Sequence, residues 1–353
     1  MQFPKDSFPH KSVIEWWYFN GHLFDKTKNK YAFMNCLFKA DPKKTDISII
    51  KNIPLKEVYF SHSLLLDITN KKRIVNLSPI SILSKDSLKQ ENLFINYINP
   101  LSGYINNELI EDGKFRYKLK NENLDLLISA IKKPLLHNGK GYFVVKNKKV
   151  FYYSLTKMAV NGKIHLGKKS IEVSGEAWMD HEWSTIAGEK KWKWFSIQLD
   201  NNCELMIQEY NNFENSYVGI MHQNQKAEFA HDLILSAKKT WKSPITKTEY
   251  PISWKIIVPS KKIELDVEAI LPNQEIIFGS MNYWEGPIKV KGIIGSLNVK
   301  GNGFMEIVGE NPKNSKLSMY NYNLTKKGKV LFKIAKREAN KIFKDFISKY
   351  HAR

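Results

Sequence analysis

The sequence predicts an all-β protein, built of two antiparallel β-barrel units and followed by a basic amphipathic helix. Three observations carry that reading. Apolar and polar residues alternate with period two through most of the first 320 residues. Asn-Gly and Asp-Gly pairs punctuate the alternation, as hairpin turns require. Only near the end does the pattern change to the period of a helix.

Taken in order, "YAFMNCLF" (31–38), "EVYFSHSLLLDI" (57–68), "FRYKL" (115–119), "LDLLISAI" (124–131), "YFVV" (142–145) and "WFSIQL" (194–199) read as short strands. Between them, "DKTKNK" (25–30), "EDGK" (111–114), "HNGKG" (137–141) and "VNGK" (160–163) read as turns. The second half repeats the style in "CELMIQEY" (203–210), "SWKIIVP" (253–259), "IELDVEAIL" (263–271), "IKVKGII" (288–294) and "GNGFMEIVG" (301–309). "KTWKSPITKTEYP" (239–251) reads as a longer connection with two prolines. Strands this regularly spaced, with no helical period between them, indicate antiparallel barrels or sandwiches. We divide the chain into barrels over 1–190 and 191–325 and a helix over 326–353. In that helix Leu331, Ala335, Ala339, Ile342, Phe346 and Tyr350 form one apolar stripe among lysines. It is suited to docking on a barrel or to lying on an anionic membrane.

Composition sets outer bounds. At 353 residues the chain exceeds what one core usually serves. A hydrophobic share of 42% and a charged share of 25% fit a globular protein. Nine tryptophans are an excess of rigid, large contact area. The net charge of +20 discourages self-association and attracts anionic surfaces. No basic-aromatic motif accompanies it, so nucleic acid is not an expected partner. Cys36 and Cys203 are too few for a disulfide framework or a cysteine-rich metal site. The nine histidines lack metal-ligand spacing, and neither a metal nor a cofactor is expected. No Walker loop, dinucleotide fingerprint, nucleophile elbow or H-E-x-x-H is present. With no leader pattern the chain reads as cytoplasmic as given, or as exported if a leader was trimmed.

Two stretches concentrate chemistry. In "EWWYFNGHLF" (15–24), Glu15, Trp17, Phe19 and Leu23 would point one way and Trp16, Tyr18, Asn20 and His22 the other. Both faces are aromatic, so the strand is covered outside as well or lines a ligand cavity. Gly21 allows a bulge or a close backbone approach. In "GEAWMDHEWST" (175–185), Asp180, His181 and Glu182 lie between Trp178 and Trp183. Alternation places His181 and Trp183 on one face and Asp180 and Glu182 on the other. Carboxyl and imidazole groups among aromatic rings should have perturbed pKa values. Such a group can protonate an apolar alkene, and aromatic faces can stabilise the resulting cation. The same residues could equally form a buried hydrogen-bonded network joining the barrels.

"FPKDSFPHKSVIEWWYFNGHL", "KPLLHNGKG", "YYSLTKMAVNGKI", "GEAWMDHEWST", "WKWFSIQLDNNCELMI", "YPISW" and "YWEGPIKVKG" occur in order from Phe3 to Gly309. Together they resemble the AttH-like family, which includes the carotenoid 1,2-hydratases. The resemblance implies two packed lipocalin-like barrels and a cofactor-free, non-redox reaction on an apolar unsaturated substrate. It implies catalytic roles for His181 and Trp183, which match the His and Trp of an Asp-His-x-Trp motif, with Asp180 beside them. The family's later Tyr and Asp fall in "LMIQEYNN", where Gln208, Glu209 and Tyr210 stand instead. The combined expectation is a hydratase, isomerase or cyclase acting on an isoprenoid, carotenoid or polyene. In it Asp180, His181 and Trp183 are catalytic, and Trp16, Trp17, Tyr18, His22, Trp178, Glu182, Gln208 and Tyr210 meet the substrate. The alternative is a carrier of a hydrophobic ligand that performs no chemistry.

Overall fold

The computed structural model describes residues 1–325, apart from 46, 48, 49, 52, 85, 86, 88–92, 99–105, 187–190, 211–215, 310, 313, 314 and 324. The helix expected over 326–353 lies outside the described residues. Two antiparallel sheets make up nearly all the rest, and the all-β expectation holds. A helical stretch covers 315–323. No helix among the described residues is long and apolar enough to cross a membrane.

The first sheet is a meander that runs from Ile14–Phe24 through Lys30–Ala40, Val58–Asp67 and Lys72–Leu83 to Leu124–Ala130. Lys169–Ser184 pairs along the other side of Ile14–Phe24, and Lys148–Leu166 pairs outside that. Lys148–Leu166 also pairs with Leu124–Ala130, so the sheet closes on itself as a barrel. The second sheet begins at Trp192–Leu199 and ends at Leu297–Ile307. It remains open, with Ala227–Ala230 and Ile234–Lys242 at its edges, and curves around its own core as a half-barrel. The edge strand Ile234–Lys242 is bulged and mostly exposed, and carries Lys238, Lys239 and Lys242. Such an edge resists strand-to-strand association.

Alternation sorts each strand between two environments. From the opening strand, Trp17, Phe19 and Leu23 enter the barrel core with Leu65, Tyr117, Leu126 and Leu155. Tyr18, from its opposite face, joins Met34, Cys36, Trp178, Tyr152, Trp194, Met206, Tyr217, Tyr283 and Phe304 in a cluster that belongs to both sheets. The half-barrel's outward residues supply the remainder of that cluster, while Phe195, Ile197, Trp254 and Trp284 fill its own core. The two loaded faces of "EWWYFNGHLF" therefore have a direct cause: one side faces the barrel interior and the other faces the second sheet.

Two local expectations change. "VNGK" is not a turn: Lys148–Leu166 runs through it without interruption. Gly162 serves close strand approach, since a Cβ there would fall 2.2 Å from the Asp125 carbonyl oxygen. The "KTWKSPITKTEYP" segment is not one long loop. It contains the end of strand Ile234–Lys242 and the start of Glu249–Val258.

Gly21 sits in unbroken register opposite Ala177 and Phe33, so its role is close approach and not a bulge. A Cβ there would lie 2.6 Å from both the Glu176 carbonyl oxygen and the Phe33 ring. Gly21→Ala is expected to destabilise the fold by about 1–3 kcal/mol, read as a lower denaturant midpoint.

Candidate functional site

The strand Lys169–Ser184 presents Trp178, Asp180 and Glu182 to the second sheet, and His181 and Trp183 to the barrel interior. Asp180 and His181 are therefore separated by the sheet itself. Although adjacent in sequence, Asp180 and His181 have different partner sets, so Asp180 does not support His181 directly.

Asp180 is buried between the sheets. Its Oδ2 accepts from the Tyr152 hydroxyl at 2.6 Å. Its Oδ1 accepts from the Ser154 hydroxyl at 2.5 Å and from Trp178 Nε1 at 2.7 Å. Burial pushes its carboxyl up to about 7, against the pull of those three donors. Tyr152 in turn accepts from Trp194 Nε1 at 3.0 Å, from the second sheet. His137 stacks on Tyr152 with ring centroids 3.7 Å apart. Its position comes from the "HNGKG" turn, in which Asn138, Gly139 and Gly141 all take positive φ. The polarity of this network follows from its end. Ser154 donates to Asp180, so it accepts from His137 Nε2–H at 2.8 Å. His137 Nδ1 then accepts from the Tyr217 hydroxyl at 2.9 Å. The result is a directed chain from Tyr217 on the second sheet, through neutral His137 and Ser154, to Asp180. Burial holds the His137 pKa well below its ordinary value, consistent with the neutral ring.

More carboxyls face this layer. Burial, helped by Asp180 and Glu306, drives Glu182 well above the usual carboxylate range. Tyr18 donates to Glu285 Oε1 at 2.9 Å. Among the described residues, the buried Asn20 Nδ2 and Gln208 Nε2 of this layer have no hydrogen-bond partner, and Glu285 Oε2 has no donor while Glu306 is ionised. Orphans of this kind are rare and are expected where a ligand or water is received. Trp16 is half-buried beside the same cluster, as is Tyr210. His22 braces the sheets instead, pairing through Nε2 with the Gly303 carbonyl at 2.9 Å.

The barrel-interior side has a different centre. Glu15 is fully buried, and its two oxygens accept from the His10 backbone and ring, from His181 Nε2 at 3.0 Å, and from Ser12 and Lys39. Burial opposes its charge, but the bonds from His10 and His181 bring its pKa down to about 2. His181 stacks on Trp17, and Trp183 stacks on His10 at 3.8 Å. Trp17 donates from Nε1 to the Ser7 carbonyl. The segment before the first strand is thereby latched onto the barrel. His10 and Glu15, near the start of the chain, and the distant His181 bring three metal-competent atoms within 4.8 Å of one another. His10 and His181 turn donating N–H groups on Glu15, whose oxygens also meet Ser12, and Lys39 lies 3.4 Å from Glu15. This arrangement suits a latch better than a cation site.

Of the residues proposed from sequence, the layer between the sheets thus gathers Trp16, Tyr18, Trp178, Asp180, Glu182, Gln208 and Tyr210. Trp17, His181 and Trp183 lie on the barrel-interior side. Sequence reasoning missed Tyr152, Ser154, His137, Tyr217, Trp194, Glu285 and Glu306 in the layer, and His10 and Lys39 in the latch. Signals for some were present: His137 lies in "KPLLHNGKG", and Glu285 in "YWEGP".

The chain matches the AttH-like family over residues 1–310 and belongs to it. No curated protein matches it. Its fold is similar to the crystal structure of an AttH protein from Nitrosomonas europaea, at 19% identity and a TM-score of 0.67, covering 87% of this chain and 96% of the other. It is similar to kievitone hydratase from Nectria haematococca at 16% identity and a TM-score of 0.68, covering 88% and 93%. It is also similar to CghA in complex with Sch210972, at 10% identity and a TM-score of 0.53, covering 85% and 89%.

Two predictions follow from these centres. Asp180 has its pKa raised from 3.8 to about 7, so the stability it contributes is complete below 3.8 and lost as pH rises through about 7. Asp180→Asn should flatten that part of the stability profile, measured by urea unfolding across the window. Glu15 is the opposite case, with its contribution present above pH 4.5 and lost as pH falls toward about 2. Glu15→Ala strands His10, His181 and Lys39 and should cost about 3–5 kcal/mol at neutral pH.

Proposed function

We propose that the layer between the two sheets is the reactive site of a cofactor-independent enzyme that adds water to, or isomerises, an apolar unsaturated substrate. The observation that carries this reading is a buried carboxyl, Asp180, bonded to the Tyr152 hydroxyl and linked through it to an aromatic layer, with burial pushing its pKa up to about 7. When Asp180 is protonated, its O–H donates to the Tyr152 oxygen. The Tyr152 hydroxyl hydrogen is then released from Asp180 and can be delivered to a substrate carbon. Protonation of a C=C bond leaves a cation, which the faces of Trp16, Trp178 and Trp194 can stabilise. Water then adds to the cation. The chain Tyr217–His137–Ser154 supplies a route for restoring the proton on Asp180. Gln208, with an unpaired amide donor, is suited to hold a substrate oxygen or the attacking water. Family membership and the fold shared with kievitone hydratase agree with this class of reaction. Isoprenoid-bearing phenols and carotenoids are the first substrates to test.

Incubation with such a panel in ¹⁸O-labelled water, followed by mass spectrometry, tests the reading. A product heavier by one labelled water is expected, and Asp180→Asn should lower its formation roughly hundredfold or more. A ligand that is bound and always recovered unchanged would overturn the enzymatic reading in favour of a carrier.

A further inference from the structure

A second pair of carboxyls faces the same layer from the opposite sheet, outside the role given to Asp180. Glu285, on Met281–Ile294, and Glu306, on Leu297–Ile307, are direct cross-strand neighbours. They project from the half-barrel's outward face, beside Tyr283 and Phe304 of the shared cluster. Glu306 also lies in register with Trp194, whose indole N–H meets Tyr152. Glu285 is fully buried. Its Oε1 accepts from Tyr18, while its Oε2 has no donor as long as both groups are carboxylates. Glu306 Oε1 accepts from Trp192 Nε1. Like charges on adjacent positions, one buried and one half-buried, repel strongly, and one proton between them turns the conflict into a hydrogen bond.

We propose that Glu285 and Glu306 share one proton and form the second acid–base centre of this site, the one that takes the proton released when water adds to the substrate. This rests on the hydration reading above. Asp180, through Tyr152, gives a proton to one alkene carbon, and the π pair becomes the C–H bond. Water bonds to the other carbon, and one of its O–H pairs stays on oxygen as the proton passes to the Glu306 carboxylate. The sum is alkene plus water giving alcohol. Asp180 is left ionised and the pair doubly protonated, and transfer of one proton back through solvent resets both. Two centres are needed because the proton is given and taken at different carbons. Trp194 links the two centres, lying in register with Glu306 and donating to Tyr152, and the charge of Glu306 adds to burial in raising the pKa of Asp180 and Glu182. The groups around the pair are Tyr18 and Cys36 from the barrel wall, Asp180 and Glu182 beside them, and Tyr283 on the half-barrel. None of these is a cation, and Arg73, which acts on Tyr283, meets the Glu275 carbonyl with its guanidinium. Burial and each other's charge push the pKa of both members up.

Infrared difference spectroscopy tests the shared proton without a substrate. At about pH 8 an ordinary glutamate is ionised. The wild type should carry a protonated-carboxyl band that Glu285→Gln removes and Glu306→Gln shifts in frequency. If Glu285→Gln removes only carboxylate bands, the proposal fails. On an alkene that the protein hydrates, Glu306→Gln should lower turnover roughly hundredfold while ligand affinity is kept. Wild-type turnover in Glu306→Gln, with Asp180→Asn inactive, overturns the role of the pair and leaves the hydration reading standing. Wild-type turnover in Asp180→Asn overturns the hydration reading, while the infrared result still decides the shared proton. Circular dichroism melts check folding. Should Glu306→Gln not fold, Glu306→Asp withdraws the carboxyl from Glu285 and takes its place.

Discussion

The packing of the half-barrel against one wall of the closed barrel is the constraint from which the rest of the structure follows. Three strands of that wall have no face left for solvent over long stretches: Ile14–Phe24 and Lys148–Leu166 along their central parts, and Lys169–Ser184 over its last eight residues. Ordinary sheet economy puts polar groups outward, where water satisfies them. Here several outward polar groups find their partners on the other sheet. Tyr18 meets Glu285, His22 meets the Gly303 carbonyl, Tyr152 meets Trp194 and His137 meets Tyr217. Gln198 reaches back to the Thr156 and Ala177 carbonyls, and Lys132 is clamped by Glu204. These bonds fix the relative position of the units more specifically than apolar contact alone would.

The same constraint explains the electrostatics. Carboxyls in this layer lose hydration, and few cations accompany them. Asp180, Glu182, Glu285 and Glu306 all have raised pKa values for that reason. Glu15, equally buried but surrounded by His10, His181 and Lys39, goes the other way. The sheet is one residue thick, yet acid-holding chemistry lies on one side of it and a charge-stabilised latch on the other.

Much of the architecture could be read from the sequence because alternation is a local property. The strands, the two-faced character of "EWWYFNGHLF" and the opposite facing of Asp180 and His181 all follow from a period of two. Cross-sheet partners could not be read, because they are set by packing between segments far apart in the chain. Tyr152 and Trp194 look like ordinary strand aromatics until the second sheet is placed. Glu285 and Glu306 sit at alternating positions that would normally be solvent-facing. "VNGK" misled for a related reason: its glycine answers a neighbouring strand and not a turn. Asp180 and His181 are adjacent in sequence yet serve different centres, because adjacent residues on a strand point apart.

The uninterrupted register of Ile14–Phe24 with both of its neighbours has an evolutionary consequence. Insertion or loss of a single residue within Lys169–Ser184 would exchange its two faces, sending His181 into the layer between the sheets and Asp180 into the barrel. Both charge arrangements would be lost in one step, with no intermediate that keeps either. Length variation among relatives should therefore be confined to loops, while the wall strands diversify by substitution at constant length.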